Sequence, residues 1–229
     1  MSLTPTDLLS RLAALDTCAV SDALDRHGLT GAVPGVVCRT GQFKVVGRAV
    51  TVELAPAGRT APATGPDGRP RHLCTAAVAA SGPGDVLVVS HPGGVMAGWG
   101  GLLSLAASLQ GIEATLLDGP CRDVDESREC GYPVFAPDVT PITARSRIVE
   151  ASWGEPVTFA GVAVTPGDLV LADGSGITFV PAQQAHEVVA TAEAMAAREA
   201  AMAADVRAGM PITEVMGASY EAHTAGAAS

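Results

Sequence analysis

The sequence predicts an α/β fold, and three stretches carry that prediction. Val86-Leu87-Val88-Val89 is a short uninterrupted apolar run of the kind found in strands buried on both faces. Trp99 to Gln110 has the length and pattern of a helix, and Ala114-Thr115-Leu116-Leu117 forms a second buried strand. A strand, a helix and a strand in succession imply a right-handed crossover between parallel strands. Parallel strands carry their carboxyl ends to the same edge of the sheet. The loop from His91 to Gly101 and the turn from Gly119 to Asp123 are therefore expected to meet at one edge, where open α/β sheets bind ligands.

The other elements follow in chain order. Leu8, Leu9, Leu12 and Leu15 recur at helical spacing after Thr4-Pro5, a cap with proline in the first turn. A second helix is predicted from Thr17 to His27, with Ser21-Asp22 read as a cap feature and Gly28 as the stop. Phe43 to Leu54 alternates as one or two strands, interrupted at Gly47-Arg48. Residues 55–71 form a proline- and glycine-rich excursion with Gly65-Pro66-Asp67-Gly68 at its tip, the composition of a lid or a disordered loop. Leu73 to Ala80 is a short helix of small residues. Gly82-Pro83-Gly84-Asp85 and Thr165-Pro166-Gly167-Asp168 are the same turn chemistry used twice, each leading into a strand, with no likeness beyond the turn.

Beyond the central unit, strands are expected at Pro133 to Ala136 and around Arg147 to Val149, Val157 to Phe159 and Val162 to Val164. Leu169 to Ala172 and Ile177 to Val180 read as a hairpin about Asp173-Gly174-Ser175-Gly176. An alanine-rich helix from Ala182 to Arg207 closes the fold and ends at Gly209-Met210-Pro211. The expectation is one domain over residues 1–229, with about 222–229 frayed.

Composition removes several function classes. A net charge of −10 and only 3% aromatic residues argue against nucleic acid, which needs a concentrated basic surface and stacking platforms. No apolar run approaches the roughly 20 residues of a membrane helix, and Met1 to Leu15 has no signal-peptide core, so the expected location is cytoplasmic. Five irregularly spaced cysteines without a CxxC argue against a disulfide framework or a zinc site. Lys44 is the only lysine and has no neighbour in sequence to activate it, which speaks against Schiff-base chemistry.

Two features remain as candidates for chemistry. The loop His91-Pro92-Gly93-Gly94-Val95-Met96-Ala97-Gly98-Trp99-Gly100-Gly101 opens a helix, so amides at Gly100 to Leu103 would face the sheet edge and attract a carboxylate or phosphate. It matches neither a Walker A loop nor GxGxxG, and on its own reads first as a flexible connection. Arg122-Asp123 follows a strand and a tight turn at the same edge. The arginine can grip a carboxylate through two hydrogen bonds, and the aspartate with several waters suffices for Mg²⁺. His27, His72, His91, His186 and His223 show no metal-ligand spacing. Trp99 reads as packing, Asp118 and Asp173 as turn residues, and Arg145 and Arg147 as an exposed strand.

With those residues in place, the chain resembles the RraA-like family, which includes metal-dependent 4-hydroxy-4-methyl-2-oxoglutarate aldolases and the regulator of ribonuclease E activity. The likeness runs through Thr17 to Leu24, Gly47 to Thr51, Gly84 to Val88, Gly98-Trp99-Gly100-Gly101-Leu102-Leu103, Asp118-Gly119-Pro120-Cys121-Arg122-Asp123 and Pro166-Gly167-Asp168. It implies a layered α/β sandwich with a swivelling-domain-like core, assembled as a homotrimer or a pair of trimers with sites between subunits. Gly100, Gly101, Leu102, Leu103 and Arg122 would hold a pyruvate-like 2-oxo acid, and Asp123 would ligate Mg²⁺ or Mn²⁺. Glu199, from a neighbour's terminal helix, would join through water. Many aldolases of the family carry an aspartate where this chain has Gly101. Others carry glycine there and an acid three residues after the Arg-Asp aspartate, the pattern that Glu126 fits.

The resemblance yields two expectations. One is a metal-dependent (class II) pyruvate aldolase cleaving 4-hydroxy-2-oxo dicarboxylic acids, with Arg122, Asp123 and Glu126 as catalytic residues and oxaloacetate decarboxylation as a second activity. The other is a non-catalytic protein-binding regulator of ribonuclease E-type RNA degradation.

Overall fold

The computed structural model describes residues 5–58 and 72–217. Thr4, the Gly65 to Gly68 loop tip and the 222–229 tail, each assigned a role from the sequence, lie outside the described residues. The chain begins with α1 (Pro5–Ala13) and α2 (Thr17–Arg26), then the two-residue strands β1 (Ala32–Val33) and β2 (Val37–Cys38) and the long β3 (Val45–Pro56). After residue 72 come α3 (Thr75–Ala80), β4 (Asp85–Ser90), α4 (Gly101–Gln110), β5 (Ala114–Leu117), α5 (Val124–Glu129) and β6 (Val134–Ala136). The last part holds β7 (Ile148–Trp153), β8 (Val157–Phe159), β9 (Val162–Val164), β10 (Leu169–Ala172), β11 (Ile177–Val180), α6 (Ala185–Arg207) and α7 (Ile212–Val215). None of the described helices is long and apolar enough to cross a membrane.

Side-chain alternation explains the layering. Successive strand residues point to opposite faces, so each buried strand feeds two cores. Val86, Val88, Ala114, Leu116, Val170, Ala172, Ile177 and Phe179 form an inner core, closed by Phe159 and its neighbours from the separate β8–β9 hairpin. Their sequence neighbours Leu87, Val89 and Leu117 face outward onto α3 and α4. Leu169, Leu171 and Val180 face outward onto α1, α2 and α6. A curled sheet with helices packed on its outer side is the layered α/β sandwich that the resemblance implied.

The main sheet has the order β1-β11-β10-β3-β4-β5-β6-β2, with β7 also on β3. Its β3-β4-β5-β6 portion is parallel, as the strand–helix–strand pattern requires. The β1-β11-β10-β3 portion is antiparallel, and β10–β11 is the anticipated hairpin. Strand β3 joins the halves. Its start pairs with β10 and its end with β7, across a register shift at Glu53/Leu54.

Several sequence expectations need correction. Gly47-Arg48 does not interrupt β3; a Cβ on Gly47 would lie 2.7 Å from Val86 Cγ2 and 2.8 Å from the Gly84 carbonyl, so the glycine permits close approach of β4. Ser21-Asp22 lies inside α2, whose cap is Asp16, accepting from the Ala19 amide at 2.8 Å. Trp99 and Gly100 precede α4, α3 starts at Thr75 rather than Leu73, and α6 starts at Ala185 rather than Ala182. Arg145 and Arg147 belong to the turn before β7.

Candidate active site at the ends of the parallel strands

Strands β4 and β5 end at Ser90 and Leu117, and their following loops are stitched together. The Gly98 amide donates to the Pro120 carbonyl at 2.9 Å, the Arg122 amide donates to the Trp99 carbonyl at 3.0 Å, and Trp99 and Cys121 form a parallel bridge. The two loops thus meet at one edge, as the parallel topology demands. Asp118 anchors the start of its turn, accepting from the amides of His91 (2.5 Å) and Ala160 (3.0 Å). Burial pushes its carboxyl above the ordinary range, against those two hydrogen bonds. This is the structural role read from the sequence.

A chain of buried hydroxyls then locks the starts of α4 and α5 to each other. Trp99, 1% exposed and stacked on Tyr132, donates Nε1–H to Ser104 Oγ at 2.8 Å. Ser104 Oγ lies 2.8 Å from Ser127 Oγ, and Ser127 donates to the Asp123 carbonyl at 3.1 Å. Both serines are fully enclosed, where an unmade hydrogen bond would be costly. Their partners fix where Gly100 and Asp123 stand.

Asp123 has φ +54, a left-handed conformation uncommon for a residue other than glycine, and its carboxylate makes no capping bond to its own helix. Instead Oδ2 accepts from the Gly101 amide at 3.2 Å and lies 3.2 Å from Arg122 Nε. Arg122 and Asp123 are both about one-third exposed at the side chain. Of the four amides expected to bind substrate, that of Gly101 is thus engaged by Asp123 and that of Leu103 by the Gly100 carbonyl. The Gly100 and Leu102 amides have no acceptor among the described residues, so they are the ones available to an anion.

These groups open onto a cavity of about 590 Å³. Gly100, Leu102, Leu103, Arg122 and Asp123 line it from one side of the sequence, His72 and Thr75 from the start of α3, and Thr143 to Ser146 from the turn before β7. Among these described lining residues Asp123 is the only acid, against Arg122 and Arg145, so the cavity favours anions.

Other candidates fall elsewhere. Glu126 does not line the cavity. Its carboxylate packs against Gly101, where an added Cβ would overlap Glu126 Oε2 and lie 2.9 Å from Glu126 Cβ. The space that glycine leaves at position 101 is occupied by the Glu126 side chain. Glu199 is an exposed residue of α6, on the helical layer away from α4, and is not brought to the cavity within one chain. His91 is buried behind the glycine loop, with Nδ1 accepting from Gly93, and burial lowers its pKa against the opposing pull of the Met96 carbonyl and Asp118. Lys44 donates to the Ala13 carbonyl at 2.6 Å and does not line the cavity.

The donor set available to a metal is small. No group of three His, Cys, Asp or Glu among the described residues is placed to hold an ion. The neighbouring Cys121 thiol is pushed by burial up to about 11, so it offers no thiolate near neutral pH. What this chain supplies is one carboxylate facing the cavity. That fits a hard, largely hydrated Mg²⁺ or Mn²⁺ and not a soft or fully protein-ligated metal.

The sequence reading took Arg145 as part of an exposed strand and did not single out Ser104 and Ser127. For Arg145 the signal was present: Thr140-Pro141 and Thr143 punctuate that segment as a turn, not a strand. The serines lie four residues after Gly100 and Asp123, the spacing for a bond back to the preceding turn.

A family model described as RraA-like, Aldolase/RraA, matches residues 17–179, which include the glycine loop, Arg122-Asp123 and Glu126 but not Glu199. DlpA of Legionella pneumophila is 28% identical over 184 residues, covering 80% of this chain and 29% of DlpA, so the chain spans under a third of that relative. A Halalkalibacterium halodurans protein provisionally named 4-hydroxy-4-methyl-2-oxoglutarate aldolase is 29% identical, covering 84% of this chain and 85% of its own length. Among solved structures, an uncharacterized protein from Pseudomonas syringae pv. tomato matches with a TM-score of 0.81 and 28% identity, over 95% of this chain and all of the other. Streptomyces coelicolor RraAS2, described as an unusual member of the RNase ES inhibitor RraA protein family, matches with a TM-score of 0.73 and 27% identity, over 87% and 96%. With more than half of its length matched by the family model and its fold shared with these structures, this chain belongs to the RraA-like family.

Proposed function

We propose that the chain is a divalent-metal-dependent lyase that cleaves 4-hydroxy-2-oxo dicarboxylic acids of the 4-hydroxy-4-methyl-2-oxoglutarate type to pyruvate. The observation that carries this reading is the convergence of Arg122, Asp123 and the uncommitted Gly100 and Leu102 amides on one anion-favouring cavity. The name of the Halalkalibacterium relative supports the same reaction class. The 2-oxo acid's carboxylate meets the helix-start amides, and the Arg122 guanidinium donates to its 2-oxo oxygen. Loss of the 4-hydroxyl proton and breakage of the C3–C4 bond leave the electron pair on the pyruvate enolate, releasing a second 2-oxo acid. Arg122 faces the enolate oxygen where negative charge grows. Protonation at C3 then gives pyruvate. Oxaloacetate reaches the same enolate by losing CO₂, so its decarboxylation is a second activity.

A bound Mg²⁺ or Mn²⁺ would be held through Asp123 and would supply Lewis-acid polarisation of the 2-oxo acid. Glu126, against Gly101, stands beside the amide that holds the Asp123 carboxylate and would orient water near it. The site is completed by assembly into a homotrimer or hexamer, with Glu199 of a neighbouring subunit acting through water. Exposed apolar side chains on α4 (Leu102, Leu105, Leu109) and at the α6–α7 end (Val206, Met210, Ile212, Met216) support such an assembly. The protein works in the cytoplasm on small molecules.

The test is pyruvate release from 4-hydroxy-4-methyl-2-oxoglutarate and from oxaloacetate, with Mg²⁺ or Mn²⁺ and with EDTA. Release that depends on metal and stops with EDTA is expected; no release from either substrate under any condition overturns the reading. The exposed apolar patches and the likeness to RraAS2 favour one alternative, a regulator that binds a ribonuclease E-type enzyme. That alternative gains if the protein releases no pyruvate but inhibits RNA cleavage by such an enzyme.

A further inference from the structure

We infer that Arg145 forms a second anion subsite in the Arg122 cavity and selects substrates by a distal carboxylate. The inference deepens the lyase reading and takes its substrate class from it. At about 590 Å³ the cavity is of a size that accommodates a drug-sized ligand, and a three-carbon 2-oxo acid at Arg122 and the Gly100 and Leu102 amides leaves much of it open. Arg145 lines that same cavity from a different segment of the chain. No described carboxylate pairs with it, and the one acid on the cavity wall, Asp123, lies against Arg122. A guanidinium on a pocket wall with no carboxylate partner among the described residues of its own chain is matched by a carboxylate on the ligand, which it can hold through two parallel hydrogen bonds.

The turn that presents Arg145 is built rather than loose. Its amide donates to Thr143 Oγ1 at 3.1 Å, and the amides of Arg147 and Ile148 both donate to the carbonyl of Ala144, at 2.8 and 3.0 Å. Ala144 itself is 3% exposed and anchors the turn in the core beneath α3 and α4. Arg147 bonds back to the Thr143 carbonyl and does not line the cavity, leaving Arg145 as the cation facing it from this turn. Ser146 has φ +60, and it is not alone. Of the four non-glycine residues with positive φ among the described residues, Asp123 and Ser146 line this cavity, and Cys74 lies between Leu73 and Thr75, which also line it. Such backbone strain gathers where a ligand site dictates the conformation. A dicarboxylate would place its 2-oxo acid end at Arg122 and its far carboxylate at Arg145, with the Ser146 hydroxyl as a neutral partner.

The experiment is calorimetric binding of 2-oxoglutarate and of 2-oxopentanoate, which has the same chain length and one carboxylate, to the wild-type protein and to Arg145→Gln with Mg²⁺ present. The wild type should bind 2-oxoglutarate more tightly. Arg145→Gln should weaken 2-oxoglutarate roughly tenfold, the scale of one hydrogen bond to a charged group, and leave 2-oxopentanoate and the melting temperature unchanged. Arg145→Lys should recover part of the loss. Equal weakening of both ligands, unchanged 2-oxoglutarate binding in the variant, or no wild-type preference for 2-oxoglutarate overturns the subsite. Because binding is read directly, an Arg145-dependent preference in a protein that releases no pyruvate would sink the lyase reading and leave the subsite standing.

Discussion

The two halves of the main sheet start alike and end differently. Strands β4 and β10 flank β3, and each is launched by a Pro-Gly-Asp turn. Gly84 and Gly167 have φ +84 and +90, and the two aspartates, Asp85 and Asp168, accept from the amide three residues back at 2.9 and 2.8 Å. Beyond β10 the chain closes at once in a hairpin whose Asp173 is fully used, accepting from Thr17 N (2.9 Å), Thr17 Oγ1 (2.6 Å) and Ser175 N (2.9 Å). Beyond β4 it enters the long glycine loop, where the Gly100 and Leu102 amides have no acceptor among the described residues. The same turn chemistry therefore says nothing about function. What distinguishes the halves is whether polar groups at the strand ends are consumed inside the fold.

The sharpest way to break this contrast is at Arg122. Arg122→Lys keeps the charge but loses the planar fork, and removal of one oxyanion donor typically costs about a hundredfold or more in rate. We expect that loss in kcat/KM for pyruvate release with little change in melting temperature, since the side chain is one-third exposed. Unchanged kinetics would return Arg122 to a surface role.

Glu126 and Gly101 come next. Glu126→Gln should reduce turnover or metal affinity by roughly 10- to 100-fold, the usual scale for a group acting through a ligand or water. Gly101→Asp, introduced alone, should lower activity, because its Cβ would fall on the Glu126 side chain. Combined with Glu126→Gly, which removes both the carboxylate and the Cβ that would lie 2.9 Å away, the space is free, and the double variant should be folded and more active than either single one. A fully active Gly101→Asp single variant would show that Glu126 does not hold that position in solution.

In the antiparallel half the same type of change should act on stability alone. Asp173→Ala strips three hydrogen bonds and should cost on the order of 2 kcal/mol in denaturant unfolding, with unchanged affinity for a 2-oxo acid. Burial pushes the Asp173 carboxyl up, but the bonds from Thr17 and Ser175 and the Lys44 charge outweigh it, so its pKa lies below the ordinary value. Its contribution is thus present above the unfolded-state pKa of about 3.9 and lost as pH falls through the lower folded value. The variant and the wild type should converge in stability in strong acid. Loss of 2-oxo acid binding in Asp173→Ala would mean that the hairpin supports the site after all.

Much of this contrast was legible in the sequence, for physical reasons that differ by element. Leu116-Leu117 and Val86 to Val89 announce buried parallel strands because strands covered on both faces have no polar alternation to blur them. The meeting of the two loops follows from parallel topology alone, and a place at that same edge, directly after a strand and a tight turn, singled out Arg122-Asp123 from the other charged pairs. Gly47 misled because glycine weakens a strand in isolation, whereas here it admits the neighbouring backbone. At Gly101 the sequence is silent for the complementary reason: a missing side chain does not say what fills its space, and a residue 25 positions later does. Arg145-Ser146-Arg147 runs directly into the apolar Ile148-Val149 and so reads as the exposed start of a strand, while bonds to Thr143 and Ala144 bend it into a turn.

The smallest expected effect tests the helical layer on the antiparallel side. Arg11 on α1 donates Nε to Glu193 Oε1 at 2.8 Å and Nη2 to Oε2 at 2.7 Å, tying α1 to α6. The bidentate geometry is good, but the side chains are 23% and 39% exposed, so water and salt screen the pair. Arg11→Met keeps much of the aliphatic stem and removes the fork. We expect a loss of about 0.5 kcal/mol at low salt, shrinking at high salt. The bond from Arg11 also holds the Glu193 carboxyl below its ordinary value against the effect of burial. This contribution therefore lasts above the unfolded glutamate pKa of about 4.3 and fades as pH falls through the lower folded value. Pyruvate release and 2-oxo acid binding should not change, because neither helix lines the Arg122 cavity in this chain. A drop in activity that follows the same salt dependence as the stability would connect α6 to the site, and would place the shared-subunit role of this helix, rather than its packing on α1, as the reason for the pair.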